Sequence, residues 1–306
     1  MVNEHQTSGA AEVVVGTDGT ETAARAVAWA ASEARLRGVP LRIVHAAPYA
    51  TGDNKPGRRR VTAILGRAYT VAHQHEPLVS AHTEAVDDQP VRTLVDASSN
   101  AQLLVVGMRG ERPSEGVIAS TALAVSGAAR CPVTVVRGQR HPAGLVGPVV
   151  LGLEDCAFDA PAVTAAFAEA QRHRAALIVL HAQRQDWIAG GNDVEGGFVE
   201  QLALWRCQYP QVPVEVRVVP GAPADELLRA AATARLVVVG THGHGAPARL
   251  LLGSTSRAVV RYSPCPVMVV RWDARIRDAA PDPTVSAVDA GARGPSHAAP
   301  LHQRTR

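Results

Sequence analysis

The chain has 306 residues, of which 46% are hydrophobic and 19% charged, so it can build packed cores and has too little charge for a disordered protein. A formal net charge of +3, from 31 basic and 28 acidic residues, is too balanced to indicate a nucleic acid or a membrane surface as partner on its own, and we expect neither. Lys55 is the only lysine and Pro56 follows it, which excludes a Walker phosphate loop and nearly excludes Schiff-base chemistry.

The cysteines and the N-terminal segment indicate the cellular compartment of the protein. Four cysteines without a CxxC pair argue against a disulfide scaffold, a zinc ribbon or a thioredoxin-like centre. The polar start MVNEHQTSGAAEV has no signal-peptide core, and no apolar run approaches the roughly 18–20 residues that span a bilayer. We therefore expect a soluble cytoplasmic protein with reduced thiols and no membrane partner.

The chain contains a tandem duplication. Residues 13–33 (VVVGTDGTETAARAVAWAASE) align with 149–169 (VVLGLEDCAFDAPAVTAAFAE) at an offset of 136, and CPVTVVR at 131–137 aligns with CPVMVVR at 265–271 at an offset of 134. Two further pairs, LRIVHA with LIVLHA and AQLLVVG with ARLVVVG, keep the same order. Because the repeat is too long for a solenoid unit, we interpret it as a domain-sized copy.

The duplication divides the chain into five segments. In chain order we expect a flexible arm at 1–11, a first domain at 12–137, a Gly/Pro linker at 138–148, a second domain at 149–271 and a disordered tail at 272–306.

Each copy alternates short β-branched runs with helical stretches. The first copy predicts strands near 13–16, 41–45, 79–85, 103–107 and 133–136, and helices near 22–37, 58–76, 90–98 and 120–129. The second predicts strands at 149–153, 176–180, 214–219, 236–240 and 266–270, and helices near 157–172, 192–208, 223–232 and 254–262. Successive apolar residues suit strands covered on both faces, so we predict an α/β fold of two tandem, doubly wound, five-stranded parallel sheets of Rossmann-like type.

The most suggestive loop follows the fourth strand of the second copy. There Gly240-x2-Gly243-x9-Gly253-Ser254 leads into a predicted helix, and the loop carries histidines and an arginine but no acidic residue. Glycines allow positive φ and close approach of a ligand, while a helix N-terminus favours a phosphate. The hydroxyls of Ser254 and Ser256 could donate to that phosphate, or Ser254 could simply cap the helix.

These features together resemble the universal stress protein family in its tandem two-domain form. The second copy meets the family's ATP-binding pattern G-x2-G-x9-G-[ST] in full, and supporting marks are GTDGT with Asp18, the strand ends IVHA and VLHA, and the CPV strand closing each copy. The resemblance covers 12–137 and 149–271. It implies an adenine nucleotide alpha hydrolase-like fold, ATP held where the winding of the sheet reverses, and a regulatory role in the stress response.

The resemblance also implies ligand-binding residues at matching positions. In the second copy these are Gly152, Glu154, Leu180, Gly240, Thr241, His242, Gly243, His244, Gly245, Gly253, Ser254, Thr255 and Ser256, and in the first they are Gly16, Asp18, Val44, Gly107, Arg109, Gly110, Ser120 and Thr121.

The first copy departs from the pattern. Ser120 stands where the pattern has its third glycine. If that position needs positive φ, a residue other than glycine there lowers stability by about 1–2 kcal/mol. Acidic side chains in the same loop cancel the neighbouring arginines. In the second copy Glu154 stands where the first has Asp18, and for Asp18 an Asx turn is an equally good explanation. We expect the second copy to be the better nucleotide site.

Three function classes stay open: an ATP-binding regulator with an unknown protein partner, a slow ATPase or adenylating enzyme of the same architecture, and a nucleotide-free interaction module. The SGGxDS loop of the adenylating class does not match GTDGTE or GLEDCA. We predict no catalytic residue and no metal site; the expected cofactor is ATP, which could carry Mg²⁺. His45 and His181, which end equivalent strands, are interpreted as polar caps at the sheet edge.

The last strand of each copy would lie at a sheet edge, which needs covering. In the family that the chain resembles these edges pair between domains, so we predict that 133–136 and 267–270 pair within one chain, giving a pseudo-dimer, and that a homodimer could form through other faces.

Overall fold

The structure is a computed structural model that describes residues 12–49, 54–108, 121–137, 147–156, 159–183, 194–241 and 252–273. Within these ranges the strands are β1 (Glu12–Gly16), β2 (Leu41–Ala46), β3 (Ala81–Val86), β4 (Ala101–Met108), β5 (Val133–Arg137), β6 (Val149–Gly152), β7 (Leu177–Gln183), β8 (Val214–Pro220), β9 (Leu236–Gly240) and β10 (Val267–Val270). The helices are α1 (Glu21–Arg37), α2 (Lys55–His75), α3 (Pro90–Ala97), α4 (Thr121–Ala128), α5 (Ala160–Arg172), α6 (Val194–Gln201), α7 (Ala203–Gln208), α8 (Pro223–Ala231) and α9 (Ser254–Tyr262).

The predicted alternation of strands and helices is confirmed, with one difference. The single helix expected over 192–208 is two helices, α6 and α7, separated by the fully buried Leu202. The predicted arm and most of the predicted linker and tail lie outside the described residues. In the part of the chain that the structure describes, no helix combines the length and apolar character needed to cross a membrane.

All ten strands form one continuous sheet in the order β3-β2-β1-β4-β5-β10-β9-β6-β7-β8. Within each half every neighbouring pair is parallel. The winding reverses between β1 and β4 in the first half and between β6 and β9 in the second, so each half is doubly wound as predicted. The two predicted sheets are therefore joined edge to edge.

The junction is the antiparallel pair of β5 and β10, which confirms the predicted pseudo-dimer pairing. Thr134 lies opposite Met268, and these two residues are equivalent in the duplication, so an approximate two-fold axis passes through them. Two arginines reach across the junction reciprocally. Arg137 Nη1 donates to the Val260 carbonyl at 3.4 Å, and Arg271 Nη1 donates to the Gly127 carbonyl at 3.3 Å. Each half thus holds the last helix of the other.

Apolar layers cover both faces of the sheet. One face packs against α1, α2, α5, α6 and α7, and the other against α3, α4, α8 and α9. The strand residues are buried on successive positions in β1, β4, β9 and β10, which is the pattern that indicated a parallel, two-sided sheet. Each apolar layer runs through both halves without a break.

Helix α1 shows why the sequence starts and stops a helix where it does. Thr20 Oγ1 accepts the Ala23 N–H at 3.3 Å and caps the N-terminus, while Gly38 adopts φ +66° and closes the C-terminus. Arg37 in the last turn complements the helix dipole. The same side chain also contacts Glu169 in the second half.

A buried ionic cluster joins the C-terminal ends of α1 and α5. Arg37 Nη2 donates to Glu169 Oε1 at 2.6 Å, and His173 Nε2 lies 3.0 Å from Glu33 Oε1. Glu33 is equivalent to Glu169 and Arg37 to His173 at the offset of 136, so the two contacts repeat one another across the approximate axis. Arg172 Nη1 adds a bond of 2.8 Å to Glu169.

The cluster shifts the titration of its members. Burial alone would raise the pKa of Glu169, but the charge of Arg37 and the hydrogen bond of His173 outweigh it and lower the pKa to about 2. Burial alone would lower the pKa of His173, but hydrogen bonds to Glu169 and Glu33 outweigh it and raise the pKa to about 9. Both groups are therefore charged at neutral pH.

Candidate functional site

The candidate site lies at the carboxyl ends of the first and fourth strands of each half. In the second half β6 and β9 are hydrogen-bonded neighbours with Gly152 opposite Val239, and in the first half β1 and β4 pair with Val15 opposite Val105. Their carboxyl ends share one edge of the sheet at the reversal of winding. The first and fourth strands of each half are thus neighbours, while residues 109–120 and 242–251 of the fourth-strand loops lie outside the described residues.

The two ends of the second-half glycine loop are held together. Thr241 N–H donates to the Val270 carbonyl at 3.1 Å, and Gly253 N–H donates to the Thr241 carbonyl at 2.8 Å. Ser256 Oγ donates to the Gly240 carbonyl at 2.6 Å. These bonds fasten the end of β9 to the start of α9 and fix where the loop leaves and re-enters the fold. His242, Gly243, His244 and Gly245 lie outside the described residues.

The geometry at Gly253 decides two questions that the sequence left open. It is the N-cap residue of α9 with φ −55° and ψ 159°, so it does not need positive φ, and the conformational penalty considered for Ser120 does not arise at this geometry. Nor does Ser254 cap the helix: it is the first helical residue, and α9 has no side-chain cap. A Cβ at Gly253 would lie 3.3 Å from the Thr241 carbonyl oxygen, so the glycine lets that carbonyl approach the start of the helix closely.

The predicted hydroxyl residues of α9 differ in exposure. Ser254 is exposed, Thr255 is half-buried, and Ser256 is buried with its hydroxyl hydrogen given to Gly240. Ser256 therefore serves the fastening of the loop in this structure, whereas Ser254 stands at the open end of the helix.

The residues beneath the loops are packing residues. A Cβ at Gly152 would lie 2.8 Å from Leu227 Cδ1, and one at Gly16 would lie 3.0 Å from Leu94, so each glycine admits a leucine from the helix below. Leu180 and Val44 belong to the same apolar layer and are 5% and 1% exposed. Their side chains face the core, which leaves backbone atoms of their strand ends at the edge of the sheet.

The conformation of the loop after β6 is held by a residue that was not among the predicted site residues. The buried Asp159 Oδ2 accepts the N–H groups of Glu154 and Asp155 at 3.2 and 3.4 Å. Burial raises the pKa of Asp159 to about 6, although these bonds oppose the shift. The side chain of Glu154 is exposed on this loop. The signal in the sequence was an aspartate just before a proline-started helix, which is a common N-cap position.

In the first half the β1 loop is an Asx turn. Asp18 is exposed and its Oδ1 accepts the Thr20 N–H at 2.9 Å, which confirms the turn explanation for this residue. Gly19 adopts φ +81°, and a Cβ there would lie 2.8 Å from Ile64 in α2. The GTDGT motif is thus fixed by backbone conformation and by contact with α2.

The fourth-strand loop of the first half begins at a tightly packed glycine. A Cβ at Gly107 would lie 2.9 Å from the Thr22 carbonyl oxygen, so this glycine lets β4 approach the start of α1. Thr121 is the first residue of α4 and is exposed. Arg109, Gly110 and Ser120 lie outside the described residues.

The strand-end histidines are polar caps, as interpreted. His45 Nδ1 lies 2.7 Å from the Thr17 carbonyl, and His181 Nδ1 lies 2.9 Å from the Leu153 carbonyl. His45 Nε2 also meets the Tyr49 hydroxyl at 2.6 Å. Each ring therefore ties its strand to the neighbouring first-strand loop.

One group of donors among the described residues is close enough to share a metal ion, namely Glu33, Glu169 and His173. It is the ionic cluster between α1 and α5, at the helix C-termini rather than beside the glycine loops. Its carboxylates are already neutralised by Arg37, Arg172 and the protonated His173. An added cation would face this positive charge, so the chemistry of the cluster is that of an ion-pair network.

Comparison with known proteins identifies the family. The model of the universal stress protein family matches residues 11–137 and 147–271. Universal stress protein Rv2005c of Mycobacterium tuberculosis is 33% identical over 285 residues, which covers 85% of this chain and 96% of that protein. Universal stress protein Mb2019 of Mycobacterium bovis is 31% identical over 299 residues, covering 85% and 94%.

A solved universal stress protein from Archaeoglobus fulgidus shares the fold, with a TM-score of 0.64 at 19% identity and coverage of 85% of this chain and 98% of that chain. The family model thus matches both halves, and the curated relatives are similar along nearly their whole length. The chain belongs to the universal stress protein family, as a tandem member with two copies of the domain.

Proposed function

We propose that this protein binds ATP, chiefly in its second half, and acts as a cytoplasmic regulator of the stress response rather than as a metabolic catalyst. The observation that carries the proposal is the fastening of the glycine loop. The bond from Gly253 N–H to the Thr241 carbonyl brings the two ends of the loop together beside the end of β6. A loop closed in this way can wrap a ligand at the reversal of winding.

The donors at this place fit a phosphate chain. Helix α9 has no side-chain cap, and the first N–H groups of a helix have no partner within it. Together with the helix dipole they favour an anion. Ser254, exposed at the first helical position, would supply a hydroxyl. ATP would bring the triphosphate and, when it carries Mg²⁺, a charge-balancing ion.

The proposal can be tested by titrating the purified chain with ATP in a calorimeter and by analysing the small molecules released on denaturation. We expect one strong site, lost in Gly243→Val and retained in the matched first-half variant Gly110→Val. Two equal tight sites would contradict the assignment to the second half. Rapid hydrolysis would indicate an enzyme, and no binding at millimolar ATP would indicate an interaction module.

A second variant separates the ligand from the fold. Gly253→Ser should lower the urea midpoint only slightly, because φ at this position suits any residue and only the 3.3 Å contact of the new Cβ with the Thr241 carbonyl oxygen must be relieved. It should weaken ATP binding, because the new side chain occupies the space beside the helix N-terminus. Unchanged affinity would remove Gly253 from the proposed site.

A further inference from the structure

Helix α2 carries the whole positive excess of the chain. Its sequence, KPGRRRVTAILGRAYTVAHQH, contains five of the 31 basic residues and none of the 28 acidic ones. The rest of the protein therefore holds 26 basic and 28 acidic residues, a net charge of −2. Among the helices that the structure describes, α2 thus carries the largest net charge in a near-neutral protein.

All five cations are on the outside of this helix. Lys55, Arg58, Arg59, Arg60 and Arg67 are exposed. The opposite face is packed into the apolar layer through Val61, Leu65, Ala68 and Ala72. The basic surface is consequently presented by a helix that the fold holds in place, and it is not the polar side of a helix that could turn over to enter a membrane.

The charges oppose the helix dipole. Four of the five lie within the first six residues, at the positive end of the dipole, and the first turn has no acidic residue. Helices α1 and α8 follow the usual arrangement, with acidic residues in the first turn and basic ones in the last. Charges placed against the dipole lower stability, and such local conflicts are expected at functional surfaces.

The duplication provides an internal comparison. In the second half α6 and α7 also connect the second strand to the third, and they carry Glu195, Glu200 and Arg206, a net charge of −1. The fold therefore does not require a basic helix at this place. The charge of α2 is specific to the first half.

We propose that the exposed face of α2 binds an acidic surface of a partner protein. Apolar side chains beside the cations favour a protein over a nucleic acid: Tyr69 on the same helix is 43% exposed, and Leu78 just beyond it is 80% exposed. Arginine and tyrosine are the residues that most often dominate protein interfaces. A long polyanion would extend beyond α2 and be repelled by the rest of the protein, which has a net negative charge. A small acidic patch on a partner protein would contact α2 alone.

Charge reversal on the full chain tests the proposal. The probe is a short fluorescein-labelled peptide rich in glutamate with interspersed phenylalanine and leucine, and binding is followed by fluorescence anisotropy at low and high salt. The double variant Arg59→Glu/Arg67→Glu should weaken binding by about tenfold or more. The control Arg206→Glu, on the equivalent helix of the second half, should bind as the unchanged protein does. Circular dichroism and the urea midpoint confirm that both variants are folded.

Two further measurements distinguish an acidic protein surface from other ligands of α2. A lysine version of the peptide should prefer the charge-reversed variant, and Leu78→Ser should weaken the acidic peptide without changing its salt dependence. A short DNA duplex that binds at least as tightly as the peptide would overturn the proposal in favour of a phosphate ligand. Equal losses in the variant and control, no binding at all, or self-association abolished by the double variant would overturn it as well.

Discussion

The pH dependence of stability should depend on His173. Its side chain is 13% exposed and its pKa rises from 6.5 to about 9 in the folded protein because it contacts Glu169 and Glu33. A raised folded pKa stabilises the fold fully below pH 6.5, and the contribution is lost as the pH rises through 9. At roughly 1.4 kcal/mol for each pKa unit, the contribution is about 3 kcal/mol.

The variant His173→Gln should therefore be less stable than the unchanged protein by about 3 kcal/mol at pH 6.5 and by little above pH 9. Urea unfolding across this range, analysed by linear extrapolation, measures the difference. The exposed His75→Gln on α2 is the matched control and should keep the unchanged profile. If His173→Gln and the unchanged protein lose stability in parallel between pH 6.5 and 9, the charge on His173 does not contribute to stability in the way inferred here.

Three further substitutions probe packing and burial. Gly107→Ala should lower the free energy of unfolding by about 1–3 kcal/mol, because the new methyl group would crowd the Thr22 carbonyl. Gly66→Ala should raise it by about 0.5–1 kcal/mol, because this position on α2 faces open space and alanine favours a helix. Urea titration measures both changes. Thr134→Val should raise stability by about 1 kcal/mol, since the buried hydroxyl has no hydrogen-bond partner, and a lower calorimetric Tm would contradict this. Asp159→Asn should lose less stability than the unchanged protein as the pH rises from 3.8 to about 6, because the raised pKa makes the charged form costly; parallel urea midpoints would speak against it.

The fold could be predicted because its signals are local or repeated. The duplicated anchors indicated the same succession of strands along the chain in both halves, and continuous apolar runs such as LVVVG indicated strands buried on two faces. The pairing of 133–136 with 267–270 was predicted from the need to cover two edges together with the resemblance to a family that pairs them. The structure confirms the strands and this pairing.

The rest depends on three-dimensional neighbours. Arg37 has the sequence signature of an ordinary last-turn cation, and only the packing of α1 on α5 brings it to Glu169. Asp159 precedes a helix, yet its partners are two amides of the preceding loop. For Gly253 the motif indicated a glycine without giving its φ, and the observed −55° shows that the requirement is space rather than conformation.

The approximate axis through Thr134 and Met268 has an evolutionary consequence. In an assembly of two identical subunits, the residues meeting on such an axis must be the same, so a threonine would face a threonine. Here a threonine faces a methionine, and in the ionic cluster an arginine is answered by a histidine. Fusion into one polypeptide releases each half from self-complementarity, and mutation can then adapt one half without imposing the same change on the other.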